Sequence, residues 1–511
     1  MTGTDATRPH ALRDMESAFR GVRRRVVCQF PRELPHSMAS PRRATPMGKQ
    51  ATTLGELKSS GYEVLGVKAE MRRNLIAKLR RGDPLFPGIV GYDETVIPQI
   101  ANAVLGGQDI MMLGERGQAK SRVVRGLIEL LDDETPIIKG AEIPENPFDP
   151  ITAKGRAIVE EAGDDTPIAW LPRSERYAEK LATPDITIAD LIGEVDPIKV
   201  AEGRYLDDEL TIHFGLVPRV NRGIFAINEL PDLAERIQVG LLNVLEERDV
   251  QIRGHKVRLP LDVFLVATAN PEDYTNRGRI ITPLKDRYGA QIRTHYPEDI
   301  HKEIDIMEQE ATALDMGDYR VHVPSFMKEI VAEITHQARR SPDVNQRSGV
   351  SVRASVANYE ALLANAFRRA LRIDETDVVP RMSDLPFVLP SLQGKVEFEA
   401  MEEGQEDRIT GRILAAGIKA VFDRRFNVDM LADVVLAFDE GFSVETAEDA
   451  KSAEYEEIAE QLEGLEAAVE SLAEVPVAAA RASAIEFVLE GLHLHKLLNK
   501  KSSSGRSTFT G

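Results

Sequence analysis

The sequence has very little cysteine and no long apolar run. Cys28 is the single cysteine among 511 residues, which excludes a disulfide scaffold and a cysteine zinc site and is typical of a reducing cytoplasm. No apolar run approaches the roughly 18 residues of a membrane span. The first part of the chain also lacks the apolar core of a secretory signal. These absences predict a cytoplasmic protein without a membrane span.

Positive charge is scarce as well. The chain has 64 Lys and Arg against 83 Asp and Glu, a net charge of −19. This argues against a nucleic-acid-binding surface over the whole molecule, although it leaves room for a local basic channel. At 511 residues the chain is too long for one core, so we expect two to four domains.

Residues 1–50 differ in composition from the rest. They hold ten Lys or Arg against four Asp or Glu, with five prolines and no sustained periodicity. We expect a basic, disordered leader, or upstream sequence ahead of an alternative start at Met47, so that residues 1–46 would not belong to the natural protein. A basic interaction tail is the alternative.

Residues 109–121 carry the pattern of a phosphate-binding loop. An apolar run at 110–113 enters a glycine-bounded loop, and an amphipathic helix is predicted after it. The helix N-terminus offers unpaired N–H groups to an anion. Lys120 would reach the β- and γ-phosphates, and the Ser121 hydroxyl would bind Mg²⁺. The predicted nucleotide contacts in this loop are Gly114, Glu115, Arg116, Gly117, Gln118, Ala119, Lys120 and Ser121.

Ala119 departs from the usual G-x-x-x-x-G-K-[ST] pattern, which has a second glycine at this position. Alanine adds one methyl group. The loop tolerates it as long as the position does not need a positive φ.

An apolar turn lies upstream of this loop. Ile89, Val90 and Gly91 precede a predicted helix and can close over an adenine ring. An ordinary loop before a helix is the alternative interpretation.

Residues 222–229 form a buried-strand run that ends in Asn228 and Glu229. Nucleotide hydrolysis needs one residue to assist Mg²⁺ and a carboxylate to orient and deprotonate the attacking water. Glu229 fits the second role. Asn228 stands where Asp is usual; its amide can hydrogen-bond a metal-bound water but compensates less charge. We therefore expect hydrolysis that is slower or more dependent on partners.

Three later polar residues are candidates for sensing the nucleotide. Asn270 ends an apolar strand, where it can sense a γ-phosphate, although an Asn-Pro turn is often only a turn. Arg287 can reach a neighbouring subunit's γ-phosphate as an arginine finger, unless it is a surface arginine paired with Asp286. Arg353 opens a predicted helix and can touch ATP from a lid domain.

The coarse pattern predicts an α/β nucleotide-binding domain over 51–296, a helical lid over 297–372 and an acidic, mostly helical domain over 373–500. Residues 501–511 are expected to be a flexible tail. Within the first domain we expect a helix over 53–81, a loop-rich insertion over 140–220 with a helix at 173–181, and a β-hairpin over 249–257. An apolar seam from Tyr455 to Leu472 is expected to pack on the helical bundle or on a partner helix.

Taken in order, these features resemble the AAA+ ATPases, and within them the ATPase (I) subunit of magnesium chelatase and the MoxR group. The resemblance covers roughly residues 85–370, and its lead-in at 214–223 and the segment 284–288 are similar to that clade. It implies a three-layer α/β/α P-loop core with a parallel sheet, followed by an all-α lid.

The resemblance also implies roles. The loop from Gly114 would be Walker A, Asn228 and Glu229 an altered Walker B, Asn270 sensor 1, Arg287 the trans arginine finger and Arg353 sensor 2. It implies ATP and Mg²⁺ as cofactors and a ring of subunits, commonly a hexamer. No Asp-x-Ser-x-Ser motif is present, so the usual partner with a von Willebrand A-type domain would be a separate chain.

We therefore expect an ATP-driven motor. It would either insert a metal into a tetrapyrrole with partner subunits or remodel a metal-domain protein; the extra C-terminal domain favours the second. A hydrolysis-poor nucleotide-dependent scaffold or switch is the alternative that Asn228 favours. A transcription-factor-activating ATPase would need a sigma-contacting Gly-Ala-Phe-Thr-Gly-Ala loop and a DNA-binding domain, and neither is visible.

Overall fold

The computed structural model describes residues 50–196, 198, 211–246, 259–270, 279–346, 348–399, 404–503 and 505–511. Residues 51–511 form one compact unit. The expected leader before residue 50 and the expected hairpin at 249–257 lie outside the described residues.

A parallel sheet forms the centre of the N-terminal part. In chain order, its described strands are β1 (Ile110–Leu113), β2 (Tyr177–Leu181), β3 (Gly223–Asn228), β4 (Val263–Ala269) and β5 (Ala290–Arg293). They lie in the order β2-β3-β4-β1-β5, and each neighbouring pair is parallel. Because parallel strands run in one direction, the polar residues that follow β1, β3 and β4 meet at one edge.

Apolar layers cover both faces of this sheet. Alternate residues of β3 divide between two cores: Ile224 and Ala226 pack with the helices before and after β1, and Phe225 and Ile227 pack on the opposite face. Continuous burial of β1 and β4 is typical of a parallel sheet covered on both sides. The predicted three-layer α/β/α core with a parallel sheet is confirmed. The described helices of this part are Leu54–Ser59, Val67–Arg81, Val96–Gly106, Lys120–Gly126, Ala153–Ala162, Ile188–Leu191, Leu216–Arg219, Glu235–Glu246 and Thr282–Arg287.

The segment predicted as a helix at 173–181 is instead a short turn followed by β2, so the prediction was wrong. Tyr177 to Leu181 pair in parallel with Ile224 to Asn228. The expected insertion at 140–220 therefore contains a strand of the central sheet. The preceding strands Glu134–Ile138 and Ile168–Pro172 form a separate two-stranded antiparallel sheet. Edge strands are half-exposed, which hides their apolar signal.

The helix predicted over 53–81 is two helices, Leu54–Ser59 and Val67–Arg81. Gly61 between them has a φ of +69°, which ends helical geometry. The second helix is tied to the base of the sheet by a buried ion pair, in which both terminal nitrogens of Arg176 lie 2.7 Å from the carboxylate oxygens of Glu70.

The expected lid and C-terminal domain share one hydrophobic core. Phe326 of helix Ser325–Arg340 stacks on Phe487 of helix Ala478–Leu494 with ring centroids 4.6 Å apart. The apolar seam at 455–472 is two short helices that pack on the same core, separated at Gly464 by a φ of +82°. The described helices after the sheet are Ile300–Glu310, Ser325–Arg340, Arg353–Ile373, Leu389–Gln393, Glu406–Arg425, Ala432–Asp439, Glu454–Gln461, Leu465–Leu472 and Ala478–Leu494.

The expected flexible tail over 501–511 is ordered, so that prediction was wrong. Strands Asn499–Ser503 and Arg506–Thr510 pair with each other, and the second also pairs with Val444–Ala447. Phe509 is buried in the core of the helical part. The sequence predicted a flexible tail because this short Ser/Thr-rich segment has one buried apolar residue, Phe509, and so lacks the apolar alternation typical of a strand.

No described helix is long and apolar enough to cross a membrane. Across the same described ranges, no group of three His, Cys, Asp or Glu side chains forms a metal-binding cluster.

Candidate functional site

The phosphate loop connects β1 to helix Lys120–Gly126. The Gly114 N–H donates to the Ala269 carbonyl of β4 at 3.1 Å, which fixes the start of the loop against the sheet. The Lys120 ammonium is buried and bonds to the carbonyls of Gly114 and Glu115, the latter at 2.8 Å. The lysine predicted to bind phosphate thus lies folded on its own loop.

Two residues of the loop adopt left-handed backbone. Gly117 has a φ of +73° and Ala119 a φ of +52°. The condition under which alanine was expected to be tolerated is therefore not met, because a left-handed conformation costs an L-residue roughly 1–2 kcal/mol. Gly117 is also pressed against the helical part, since a Cβ there would lie 1.8 Å from the Ser351 hydroxyl.

A cavity of about 420 Å³ lies between this loop and the helical part. This volume falls in the range of roughly 300–1,000 Å³ typical of small-ligand sites. The predicted adenine-side residues Ile89, Val90 and Gly91 line it together with Gly117, Gln118 and Ala119 of the loop, and Arg353 enters from the N-terminus of helix Arg353–Ile373.

Asn228 and Glu229 lie at the carboxyl end of β3, beside β4. Thr268 of β4 contacts both: its hydroxyl donates to the side-chain amide oxygen of Asn228 at 3.2 Å and accepts from the Glu229 backbone N–H at 3.1 Å. Glu229 has a φ of +53°. A strained residue directly after a strand is a feature of functional sites, because the surrounding structure must enforce it.

Glu179 of β2 is a carboxylate that sequence reasoning missed. It accepts a hydrogen bond from the Asn228 amide and two from Arg125, at 2.7 and 3.0 Å. Burial by itself would raise the pKa of Glu179, but hydrogen bonds from Arg125, Tyr177 and Asn228 outweigh it and hold that pKa below its ordinary value. The carboxylate is therefore charged at neutral pH.

Asn270 follows β4 directly and is buried. Its neighbour Ala269 pairs with Leu113, the last residue of β1, so Asn270 stands next to the start of the phosphate loop. Among the described residues, none forms a hydrogen bond with its side-chain oxygen. A buried carbonyl oxygen without a partner costs free energy unless a ligand satisfies it.

Arg287 stands apart from this cavity. It ends helix Thr282–Arg287, and its guanidinium donates to the Pro283 carbonyl at 2.9 Å. It is not among the described residues that line the cavity. The structure therefore brings the predicted upstream turn, part of the phosphate loop and the lid arginine to one cavity. Asn228, Glu229 and Asn270 lie at the ends of β3 and β4, and like Arg287 they are not part of the cavity lining.

Two further residues at the cavity escaped sequence reasoning. The Tyr92 hydroxyl lies 2.8 Å from the Gln118 carbonyl, and burial raises the pKa of this hydroxyl to about 12, so it stays a donor. Lys395 reaches the cavity from beyond the expected lid. Neither residue belongs to a recognisable sequence motif. Only a comparison of related sequences, showing both at a constant distance from the phosphate loop, could have identified them.

The side chains suit ATP and Mg²⁺. The cavity has apolar walls at Ile89 and Val90, and its lining includes the cations Arg122, Arg353 and Lys395. The Asn270 oxygen without a hydrogen-bond partner lies beyond the end of β4, beside the start of the phosphate loop. Mg²⁺ prefers hard oxygen ligands; the Ser121 hydroxyl would bind it, and the Asn228 side chain would act through a water.

A parallel sheet with a phosphate loop after β1, strand-end polar residues on β3 and β4, and a helical lid that closes the cavity define an AAA+ P-loop protein. Sequence comparison agrees with this class: residues 200–284 match the Sigma-54 interaction domain family.

The chain is 28% identical to the magnesium-chelatase 38 kDa subunit of Cereibacter sphaeroides over 43% of its own length and 62% of that protein. It is 26% identical to the chloroplastic magnesium-chelatase subunit ChlI of Chlamydomonas reinhardtii over 46% of this chain and 55% of that one. In a cryo-EM assembly of magnesium chelatase subunits BchI and BchD, one chain aligns with 61% of this chain and 96% of its own, at 19% identity and a TM-score of 0.33.

The chain therefore has an AAA+ P-loop fold and is similar in sequence to magnesium-chelatase subunits. It spans about half to three-fifths of the length of the curated relatives given above.

Proposed function

We propose that the chain hydrolyses ATP and uses the energy to remodel or activate a partner protein, as a motor of the magnesium chelatase/MoxR type. The observation that carries this proposal is the meeting of Lys120, Asn228, Glu229 and Asn270 at the carboxyl edge of β1, β3 and β4. A P-loop, a strand-end carboxylate and a polar strand tip are the parts that phosphoryl transfer to water needs.

Each residue has a role in the proposed step. Lys120 turns from the loop carbonyls to the β- and γ-phosphates. Glu229 orients the attacking water and takes its proton as the bond from water oxygen to γ-phosphorus forms and the bond from γ-phosphorus to the β–γ bridging oxygen breaks, which releases ADP and phosphate. Mg²⁺ bound with ATP would neutralise charge on the phosphates; Ser121 would hold it directly and Asn228 through a water. Asn270 and Arg353 contact the γ-phosphate from the sheet and from the lid.

Arg287 would act on a neighbouring subunit. A contribution in trans requires a neighbouring copy of the chain, as in a ring. A hexamer is the ring we propose, with a separate chain carrying a von Willebrand A-type domain as the partner. Similarity to magnesium-chelatase subunits supports metal insertion as the task, whereas the shared lid and C-terminal core supports a separate remodelling task.

A second candidate is a nucleotide-dependent scaffold that hydrolyses little, and Asn228 favours it because an amide offers less charge to Mg²⁺ than a carboxylate does. Steady-state phosphate release from wild type and Glu229→Gln separates the two. A motor loses most of its release in the variant while ATP binding stays. Equal, near-zero rates in both proteins would support the scaffold.

A further inference from the structure

The residue beside Asn228 carries the charge that Asn228 lacks. Asn228 has a neutral side chain, and its amide nitrogen donates to the Glu179 carboxylate. The opposite end of the same amide accepts from Thr268 at 3.2 Å. These two contacts orient the Asn228 side chain, so its position depends on Glu179.

The sheet register places Glu179 on the phosphate-loop side. Glu179 pairs with Ala226, and Ala226 and Asn228 are two apart on β3, so all three point to one face of the sheet. Ala226 packs in the core that also holds Val123 and Leu127 of the phosphate-loop helix. Glu179 therefore faces the helix that follows the loop.

Arg125 connects Glu179 to the helix that carries the predicted Mg²⁺ ligand. Both guanidinium contacts of Arg125 go to Glu179, at 2.7 and 3.0 Å. Ser121 lies four residues before Arg125 on the same helix, hence on the same face and one turn nearer the loop. Glu179 thus contacts Asn228 directly and, through Arg125, the helix that begins with Lys120 and Ser121.

We propose that Glu179 is a positioning residue for the divalent cation of bound ATP, supplying from β2 the negative charge that a carboxylate at position 228 would otherwise supply. The proposal rests on the proposed function. The carboxylate that usually stands at position 228 is thus replaced by Glu179 on the neighbouring strand. Glu179 holds the Asn228 side chain in place, and Asn228 contacts a water bound to the cation.

The competing interpretation is that Glu179 serves only as the counter-ion of Arg125. The two interpretations predict opposite effects of Arg125→Gln. If Glu179 acts toward the cation, removing the Arg125 charge leaves more of the carboxylate's field for Mg²⁺, and the Mg²⁺ requirement stays equal or falls. If Glu179 only pairs with Arg125, the two single variants behave alike.

The test measures ATP affinity of the full chain by isothermal titration at increasing MgCl₂. The Mg²⁺ concentration for half of the affinity gain should rise about tenfold in Glu179→Gln. Without Mg²⁺, ATP binding by this variant should be at least as tight as in wild type, because a negative charge near the phosphates is removed, and this binding reports an intact fold. Glu175→Gln is the control: it removes an equal charge from an exposed residue before β2 and should leave the Mg²⁺ requirement unchanged.

A swap variant adds a second readout. Glu179→Gln with Asn228→Asp returns the carboxylate to β3 and should bring the Mg²⁺ requirement to within about twofold of wild type. An unchanged Mg²⁺ requirement in Glu179→Gln, or equal weakening in Glu179→Gln and Arg125→Gln, overturns the inference alone. Wild type that binds no ATP, or that binds it without any effect of Mg²⁺, overturns the proposed function as well.

Discussion

A terminal guanidinium nitrogen of Arg116, in the phosphate loop, lies 3.3 Å from a carboxylate oxygen of Glu397, in the C-terminal part of the chain. The Ser348 hydroxyl also donates to Glu397, and the Tyr296 hydroxyl donates to the Arg116 carbonyl at 2.9 Å. The C-terminal part therefore touches the nucleotide-binding loop directly. Lys395, two residues before Glu397, lines the cavity on the same side.

We predict that Lys395→Gln weakens ATP binding about two- to fivefold at low salt. An exposed cation facing a triphosphate contributes at most about 1 kcal/mol, and salt screens it. Fluorescence titration at two salt concentrations measures the effect, which should shrink at the higher one. Lys451→Gln, an exposed lysine elsewhere in the C-terminal part, is the control. Equal affinities of Lys395→Gln and Lys451→Gln would contradict a role for Lys395.

Replacing Ala119 by glycine should stabilise the protein. Relief of the left-handed strain, with a φ of +52°, outweighs the entropy that glycine adds to the unfolded chain, and we expect a gain of roughly 0.5–1 kcal/mol. Urea unfolding measures it. Ala364→Gly, at an exposed site within helix Arg353–Ile373, should instead lose about 1 kcal/mol. A loss in both variants would show that position 119 is not strained.

Mixing two inactive variants tests whether Arg287 acts in trans. Glu229→Gln lacks the base, and Arg287→Ala lacks the finger, so each should release phosphate at near-background rates. In a mixed ring, an Arg287→Ala subunit keeps its own Glu229 and receives Arg287 from a Glu229→Gln neighbour, which restores part of the activity. Phosphate release of the mixture that equals the mean of the separate proteins would rule out a shared site.

Glu303 should make the helical part sensitive to acid. Burial tends to raise its pKa, but the groups around it, His336, Arg339 and Ser355, outweigh burial and lower the pKa from its usual 4.5. Arg339 donates to it at 2.7 and 3.0 Å. A lowered folded pKa stabilises the fold above pH 4.5, and this stabilisation is lost as the pH falls through the folded value.

In Glu303→Gln we expect a lower free energy of unfolding at pH 7 and a smaller decrease between pH 7 and acid than in wild type. Urea unfolding across that range measures both. Glu440→Gln, which changes an exposed carboxylate, should keep the wild-type slope. If the unfolding free energy of Glu303→Gln falls with pH as steeply as that of wild type, other carboxylates account for the acid sensitivity.

Contiguous features were predictable from sequence. The phosphate loop is one uninterrupted stretch between an apolar strand and a helix, and its glycines and lysine carry their chemistry locally. Asn228 with Glu229, and Asn270, were found for the same reason, since each follows a buried strand. Their roles remain predictions. Their meeting at one edge follows from parallel strand direction, which the apolar runs already indicated.

Features that depend on pairing between distant segments were not predictable. Tyr177 to Leu181 reads as helix in sequence because half of an edge strand faces solvent, and so the strand that carries Glu179 was missed. The end of the chain was expected to be flexible for a similar reason. Its order depends on pairing with distant strands and on one buried residue, Phe509, which gives no pattern in the sequence.

The sequence by itself determined the chemistry available: a lysine and serine after a glycine-bounded loop, a glutamate at a strand end, and an amide where an acid is usual. Tertiary structure alone decided which carboxylate stands beside that amide and which lysine reaches the cavity. Glu179 lies on a neighbouring strand, and Lys395 comes from a segment far along the sequence. Strand register sets the position of the first and core packing that of the second, and both depend on contacts between distant parts of the chain.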